Sequence, residues 1–372
     1  MGNKLCGALV VLACFGVMQP AAHAAESGAV FVMTNAATGN QVIAYARGPE
    51  GRLQQRAIYD TEGRGGGGKI DPLQSQGALT LSPDGSRLYA VNAGSGTITS
   101  FQVQGANLSL MGHVPSGGSE PVAVTQFGNI VYVLNGAGPG DVVAFRENNA
   151  GRLVQIPDST AYLSGVNTGG ASISVRPDGK FLAVVERGAS VISTFPINAN
   201  GTLGPIVTTT SADPGAFSGR FAPNGVLLVT DNTPGTSDAS LLSSYTISGN
   251  GTLSPISESA PTYGNGNCWS VVTPNGAYVY SDNSASSTIA GYTLSKAGVL
   301  KPIRNTIVAT LPSGSTNLEV AVTADGKFLY TLNAGSGTIG IFAINSDGVL
   351  TEVADRSDGL LPSAGYEGLA AL

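Results

Sequence analysis

The chain has 372 residues, of which 52 are glycine, only 11% are charged and 42% are hydrophobic. That is too apolar for a disordered chain, and its many small residues and few helix formers point to tightly turned β-structure. The formal net charge is −6 with no run of Lys or Arg, which argues against nucleic acid or an anionic membrane surface as partner.

The N-terminus reads as a targeting segment. Lys4 precedes the apolar run LCGALVVLACFGVM, and Ala22-His23-Ala24 forms an A-x-A cleavage site before Ala25. Residues 1–24 are therefore expected to be a signal peptide. The mature protein would begin near Ala25 and be exported to the periplasm or the extracellular space. A lipobox-like Val-Leu-Ala-Cys ends at Cys14, but the apolar Phe15-Gly16-Val17-Met18 after it fits the hydrophobic part of a leader better. Cys6 and Cys14 leave with that leader, so Cys268 stands alone and no intramolecular disulfide can form. Loss of Lys4 takes the net charge to −7, with 17 basic residues against 24 acids. No second segment approaches the roughly 20 apolar residues that span a bilayer.

After the leader, residues 29–35, 41–47 and 53–59 read as strands, rich in aromatic and β-branched residues and bounded by Gly, Asn and Asp. Residues 61–76 then interrupt the pattern with GRGGGGK. From residue 79 onward a unit of four short strands recurs. It is clearest over residues 321–353, and its segment NAGSGTI occurs both at 92–98 and at 333–339. The turn between the first two strands of each unit serves as a ruler. It reads Pro83-Asp84-Gly85, Gln126-Phe127-Gly128, Pro177-Asp178-Gly179, Pro223-Asn224-Gly225, Pro274-Asn275-Gly276 and Ala324-Asp325-Gly326. Successive glycines are 43, 51, 46, 51 and 50 residues apart. Seven residues past each glycine the second strand is expected to end, at Asn92, Asn135, Glu186, Asn232, Asn283 and Asn333. A second insertion, residues 233–240, lengthens one connection between second and third strands.

Six units are complete, and the two ends supply a seventh. Residues 368–372 resemble residues 77–81, the innermost strand of the first complete unit, and the N-terminal three strands lack such a strand. Joining them closes a ring without a free blade edge. The predicted fold is all-β: a seven-bladed β-propeller of four-stranded antiparallel blades, one domain over residues 25–372, closed by the C-terminal strand joining the N-terminal blade. Inner strands begin, and second strands end, on the same rim. Both insertions also fall there, so that rim is the expected place for a site.

The repeat x-P-D-G-x-x-L-Y-x-x-N-x-x-x-x-T-I-x-x-F-x-I, followed by D-G-x-L-x-P-I, resembles the lactonase-type seven-bladed propellers. That family includes 6-phosphogluconolactonase and carboxymuconate cyclase-like enzymes. The likeness to exported bacterial members is strongest over residues 63–85, and it extends over the whole mature chain. It implies hydrolysis or isomerisation of a small lactone, of sugar-lactone or muconolactone type. The family also implies histidines at the upper ends of two inner strands, after a Gly-Pro-Arg sequence in one of them. Here those positions read Gly215-Ala-Phe-Ser218 and Gly169-Gly-Ala-Ser172. The only histidines are His23, in the leader, and His113, in an expected outer strand. Any lactone chemistry must therefore use carboxylate, Arg or water.

Candidate residues follow from the ruler. Glu186 breaks the Asn series and could orient or deprotonate water, while Arg187 and Arg220 could hold carbonyl or carboxylate oxygens. An ordinary surface pair is the plainer reading of Glu186-Arg187. Arg220 lies inside an inner strand, where an inter-blade salt bridge to Asp231 or Asp282 is the structural alternative. Gln76, Asn267, Trp269, Glu319, Tyr366 and Glu367 are the polar and aromatic residues at the upper ends of inner strands, and are expected to bind ligand. Trp269, the only tryptophan, suits a sugar or planar ring, or else closes a blade contact. GRGGGGK fits G-x-x-x-x-G-K formally, but Ile70 follows and strands flank it, so a mobile rim loop or lid is expected instead of a phosphate loop. No cofactor and no metal are implied, since the carboxylates are dispersed. The expected partners are a small-molecule lactone or carbohydrate. The rival to an enzyme is a non-catalytic scaffold that binds a glycan, a peptide or an envelope protein on the same rim.

Overall fold

A four-stranded sheet with two apolar faces needs covering on both sides, and stacking copies in a ring achieves this. The computed structural model describes residues 1–2, 27–232, 238–356 and 360–372. The expected leader cleavage site and most of the second insertion fall outside those residues. Seven antiparallel sheets are present among the described residues. Their inner strands are Leu369–Ala371, Leu79–Leu81, Pro121–Phe127, Gly170–Val175, Ala216–Phe221, Asn267–Val272 and Asn317–Val322, for blades 1 to 7 in turn. Each inner strand touches the next, and blade 7 meets blade 1, so the ring is closed.

Blade 1 is assembled from both ends of the chain, as the sequence predicts. Gly28–Met33 pairs with Leu369–Ala371 on its inner side and Gln41–Arg47 on its outer side. Blade 3 carries a small fifth strand, Ala161–Tyr162, beside Asp141–Glu147. Second strands are the most enclosed; Phe181–Glu186 and Phe328–Asn333 are buried at every position. Outer strands such as Leu53–Asp60 are mostly exposed.

Blades are joined by a recurring device. The hairpin between third and fourth strands ends in a glycine whose carbonyl accepts a bond from the preceding blade. Tyr330 Oη donates to the Gly51 carbonyl at 2.8 Å, Thr194 Oγ1 to Gly251 at 2.7 Å, Ser244 Oγ to Gly298 at 2.7 Å and Tyr280 Oη to Gly348 at 2.7 Å. These glycines have φ near +80° to +93°, and a side chain on Gly348 would run into Tyr278 at 2.6 Å. The joint between blades 7 and 1 has an added clamp: Arg47 reaches Asp325 at 3.4 Å and lies over the Phe328 ring at 5.5 Å.

The upper end of the second strand lies one residue earlier in blade 5 than the ruler gives. The outermost register pairs are Pro121↔Asn135, Gly170↔Glu186, Ala216↔Asp231, Asn267↔Asn283 and Asn317↔Asn333. Asp231, not Asn232, is therefore the equivalent residue. Irregular pairing recurs at the tops of these inner strands: between Pro121 and Ala123, Gly170 and Ser172, Ala216 and Gly219, Asn267 and Trp269, and Leu318 and Val320. Bulges of this kind re-aim side chains beside a channel.

Candidate active site at the upper channel mouth

The first insertion is not a loose lid. Gly65 lies directly on the Asn35 backbone, and the Gly94 N–H donates to the Arg64 carbonyl at 3.0 Å. The Gly66 N–H donates to Asn35 Oδ1 at 2.8 Å and the Gly365 N–H to the Lys69 carbonyl at 2.7 Å. The expected mobile loop is thus bonded down on both sides. Its absent side chains allow close backbone approach.

Beyond it, residues 71–77 cross the channel and plug its upper end. The Gln76 N–H bonds to the Ala171 carbonyl at 2.8 Å, and its side-chain amide donates to Ser270 O at 2.9 Å and accepts from Ser218 Oγ. One glutamine thereby bridges blades 4, 5 and 6. Ser75 Oγ donates to Val122 O at 2.8 Å, and Trp269 Nε1 donates to Ser75 O at 2.9 Å. Trp269 is 1% exposed and stands edge-on to Phe217, with ring centroids 5.1 Å apart. It supports the plug from beneath, where no sugar ring can stack on it.

Glu367, at the top of the closing strand, is fully buried and accepts from the Leu73 N–H at 2.8 Å. The Ser75 N–H adds a longer bond at 3.4 Å. Those bonds fix the segment that carries Asp71, whose carboxyl meets Glu367 side chain to side chain. Burial pushes Asp71 up to about 7, against the opposing pull of the Arg187 charge. Burial and the neighbouring Asp71 likewise raise Glu367. Asp71 Oδ1 and Arg187 Nε are both enclosed without a hydrogen-bond partner, although both residues keep partial solvent access. Asp71 also has φ +48°, in the left-handed region that non-glycine residues rarely adopt. The Cys268 thiol nearby is pushed well up, first by burial and then by the Asp71 and Asp282 charges, so it is neither a thiolate nor a nucleophile.

The other expected residues take different places. Glu186 is fully enclosed inside the upper edge of its blade, and it accepts from Ser164 Oγ at 2.6 Å, from the Ser164 N–H at 3.2 Å and from Ser193 Oγ. The Asn residues of the series do the same work: Asn92, Asn283 and Asn333 are buried and donate to Thr97, Thr288 and Thr338 at 3.0–3.1 Å. Neighbours in sequence, Glu186 and Arg187 therefore face different surroundings. Asn267 is buried between Leu241 O, at 2.6 Å, and Ser281 Oγ. Tyr366 is 8% exposed and packs in the core that joins blades 7 and 1.

Glu319 lies below the plug, at a bulge with φ +49°, and accepts from the Gly77 N–H at 3.3 Å. Burial pushes it up to about 8, opposed by the charge of Arg220. Arg220 makes no salt bridge to Asp231 or Asp282; Asp231 instead accepts from Ser211 Oγ at 2.8 Å. Burial also pulls Arg220 below the usual guanidinium range. His113 sits on the outer strand Asn107–Pro115 of blade 2, against Glu62 at 3.1 Å. No group of three or more His, Cys, Asp or Glu side chains is arranged to hold a metal among the described residues.

The family model for lactonase, a seven-bladed β-propeller, matches residues 29–155, 122–235 and 220–362. The chain belongs to this family. No curated protein sequence matches it. Among solved structures, it is similar to a 6-phosphogluconolactonase candidate from Bacteroides fragilis, with 18% identity over 93% of this chain and 98% of that one, at TM-score 0.68. A periplasmic gluconolactonase from Pseudomonas aeruginosa is 16% identical over 93% and 99% of the two chains, at TM-score 0.67. A second candidate, from Bacteroides uniformis, gives 18% identity over 92% and 99%, also at 0.67. At such identities these likenesses speak for the fold. In this lactonase-family propeller, Ser172 and Ser218 stand where the resemblance implies histidines, and the plug occupies the space beside them. The Ser172 backbone bridges to Gln76, and Ser218 Oγ bonds its side chain. Asp71 belongs to no repeat; the signals for it in the sequence were its place in an insertion on the expected rim and within residues 63–85, where the family likeness is strongest.

Proposed function

We propose that this protein, exported after loss of residues 1–24, hydrolyses a small lactone at the upper channel mouth. The observation that carries the reading is Asp71, bonded to Glu367 and under the influence of the Arg187 charge, with an unpartnered oxygen on Asp71 and an unpartnered nitrogen on Arg187. Family membership and the 6-phosphogluconolactonase-like neighbours support a sugar lactone as the substrate class. In this mechanism the Asp71 carboxylate takes a proton from water as the water oxygen attacks the lactone carbonyl carbon. Arg187 stabilises the oxyanion that forms. Collapse of the tetrahedral intermediate breaks the ring C–O bond, and Asp71 returns its proton to the departing alkoxide. Arg187 then faces the carboxylate of the hydroxy-acid product. Glu367 positions the plug and does not touch substrate.

A pH-stat survey of aldonolactones and muconolactones tests this directly. Wild-type kcat/KM should rise with pH through about 7, because the deprotonated form of Asp71 is the working one. Asp71→Asn should lose about 10²–10⁴-fold in turnover while leaving the melting temperature within a few degrees. Full activity in that variant would remove the mechanism. Absence of turnover on every lactone would favour a binding scaffold.

A further inference from the structure

The channel has a second opening, on the face opposite the plug. There a cavity of about 500 Å³ is lined by apolar residues such as Leu81, Phe221 and Val322, by Thr80 and Thr273, and by Arg220. That volume falls in the range of small-ligand sites. Arg220 is the only charged side chain that lines it, it is half-buried, and it makes no hydrogen bond or ion pair within reach among the described residues. Its one electrostatic partner is Glu319, deeper in the channel.

We propose that this lower cavity binds a small monocarboxylate with an apolar body, aliphatic or aromatic, whose carboxylate pairs with Arg220. A guanidinium that faces the cavity and has no acceptor from the protein is free to bind an anion, and a planar carboxylate matches its fork. The surrounding Leu, Val, Phe and Pro side chains supply a surface for the hydrocarbon part. One cation with an acid deeper in the channel favours a monoanion over a phosphate dianion. Of the acids on the surrounding turns, Asp178 is paired with Arg176 at 3.4 Å and Asp325 with Arg47 at 3.4 Å, whereas Asp84, bonded by Ser82 and Ser86, keeps its charge. The site is separate from the upper mouth and does not depend on lactone turnover there.

Isothermal titration of the mature protein with benzoate and with benzamide tests the proposal. Benzoate should bind about tenfold or more tightly than its uncharged amide, and Arg220→Met should abolish that preference. Hexanoate against hexanamide should show the same sign. Equal affinity for acid and amide in the wild type, no benzoate binding, or unchanged benzoate binding in Arg220→Met would each overturn it. The wild-type comparison decides the matter if the variant fails to fold.

Discussion

The two mouths of the channel are made from the ends of the same seven inner strands, yet one is sealed and the other open. The connections explain the difference. At the lower mouth, in blades 2 to 7, each inner strand turns into the second strand through a tight turn such as Pro274-Asn275-Gly276, with Gly276 at φ +69°. Such turns reach only their own blade. At the upper mouth the chain travels between blades, and one connection, residues 61–77, is long enough to cross the channel. Closure therefore follows loop length. The sealed mouth collects polar groups because the plug's backbone must find partners away from water, and Glu367, Glu319 and Trp269 provide them, while Ser218 bonds the Gln76 side chain. The open mouth has no inserted backbone to satisfy, and Arg220 is the one charged side chain lining it, beside Thr80, Thr273 and apolar residues.

The severest way to break this contrast is to end the chain after Gly365. That removes both the strand that closes blade 1 and the Glu367 acceptor of the plug. We expect loss of most of the roughly 5–15 kcal/mol that holds such a domain, seen as aggregation or a collapsed melting temperature. An unchanged melting temperature would refute closure by the last strand.

A smaller change separates carboxylates that work at the mouth from those that hold a blade. Glu186→Asn places the residue of the sister blades at a fully buried position, but its shorter side chain leaves Ser164 or Ser193 without an acceptor. The expected cost is about 1–3 kcal/mol, with lactone kcat/KM nearly intact. Loss of turnover at unchanged stability would instead place Glu186 in the reaction. The sequence made Glu186 look functional because it departs from the Asn series. In the structure Glu186 is an interior bonding position, as are Asn92, Asn283 and Asn333, and the longer Glu spans to different partners. The fold itself was legible because the turn ruler and the split blade are local, repeated features. The cluster of Asp71, Arg187 and Glu367 joins residues almost 300 positions apart through a non-repeating segment, so neither period nor register could announce it. Arg187 and Glu367 were marked by their rim positions, whereas the acid that completes them was not.

The mildest test lies between the mouths. Glu319 moves from its ordinary 4.5 up to about 8 on folding, because burial disfavours its charged form. Between those values the folded state holds a proton that the unfolded state has released, so this group's contribution to stability falls as pH rises from about 4.5 to about 8. Melting temperatures should accordingly decline over that interval. Glu319→Gln should flatten the decline without erasing it, since Asp231 is raised by burial as well, to about 8. A variant with the same slope as the wild type would show that Glu319 carries its charge in the fold.

Drawing the innermost strand of blade 1 from the far end of the chain has a consequence in time. Gly28–Met33 is made well before Leu369–Ala371, with the other six blades synthesised in between. At about 5–20 residues per second the first strand waits some 20–70 s for its partner. During that interval its inner edge offers unpaired backbone groups to any other strand nearby. A nascent chain of this design gains from a holding factor that covers that edge until the closing strand arrives.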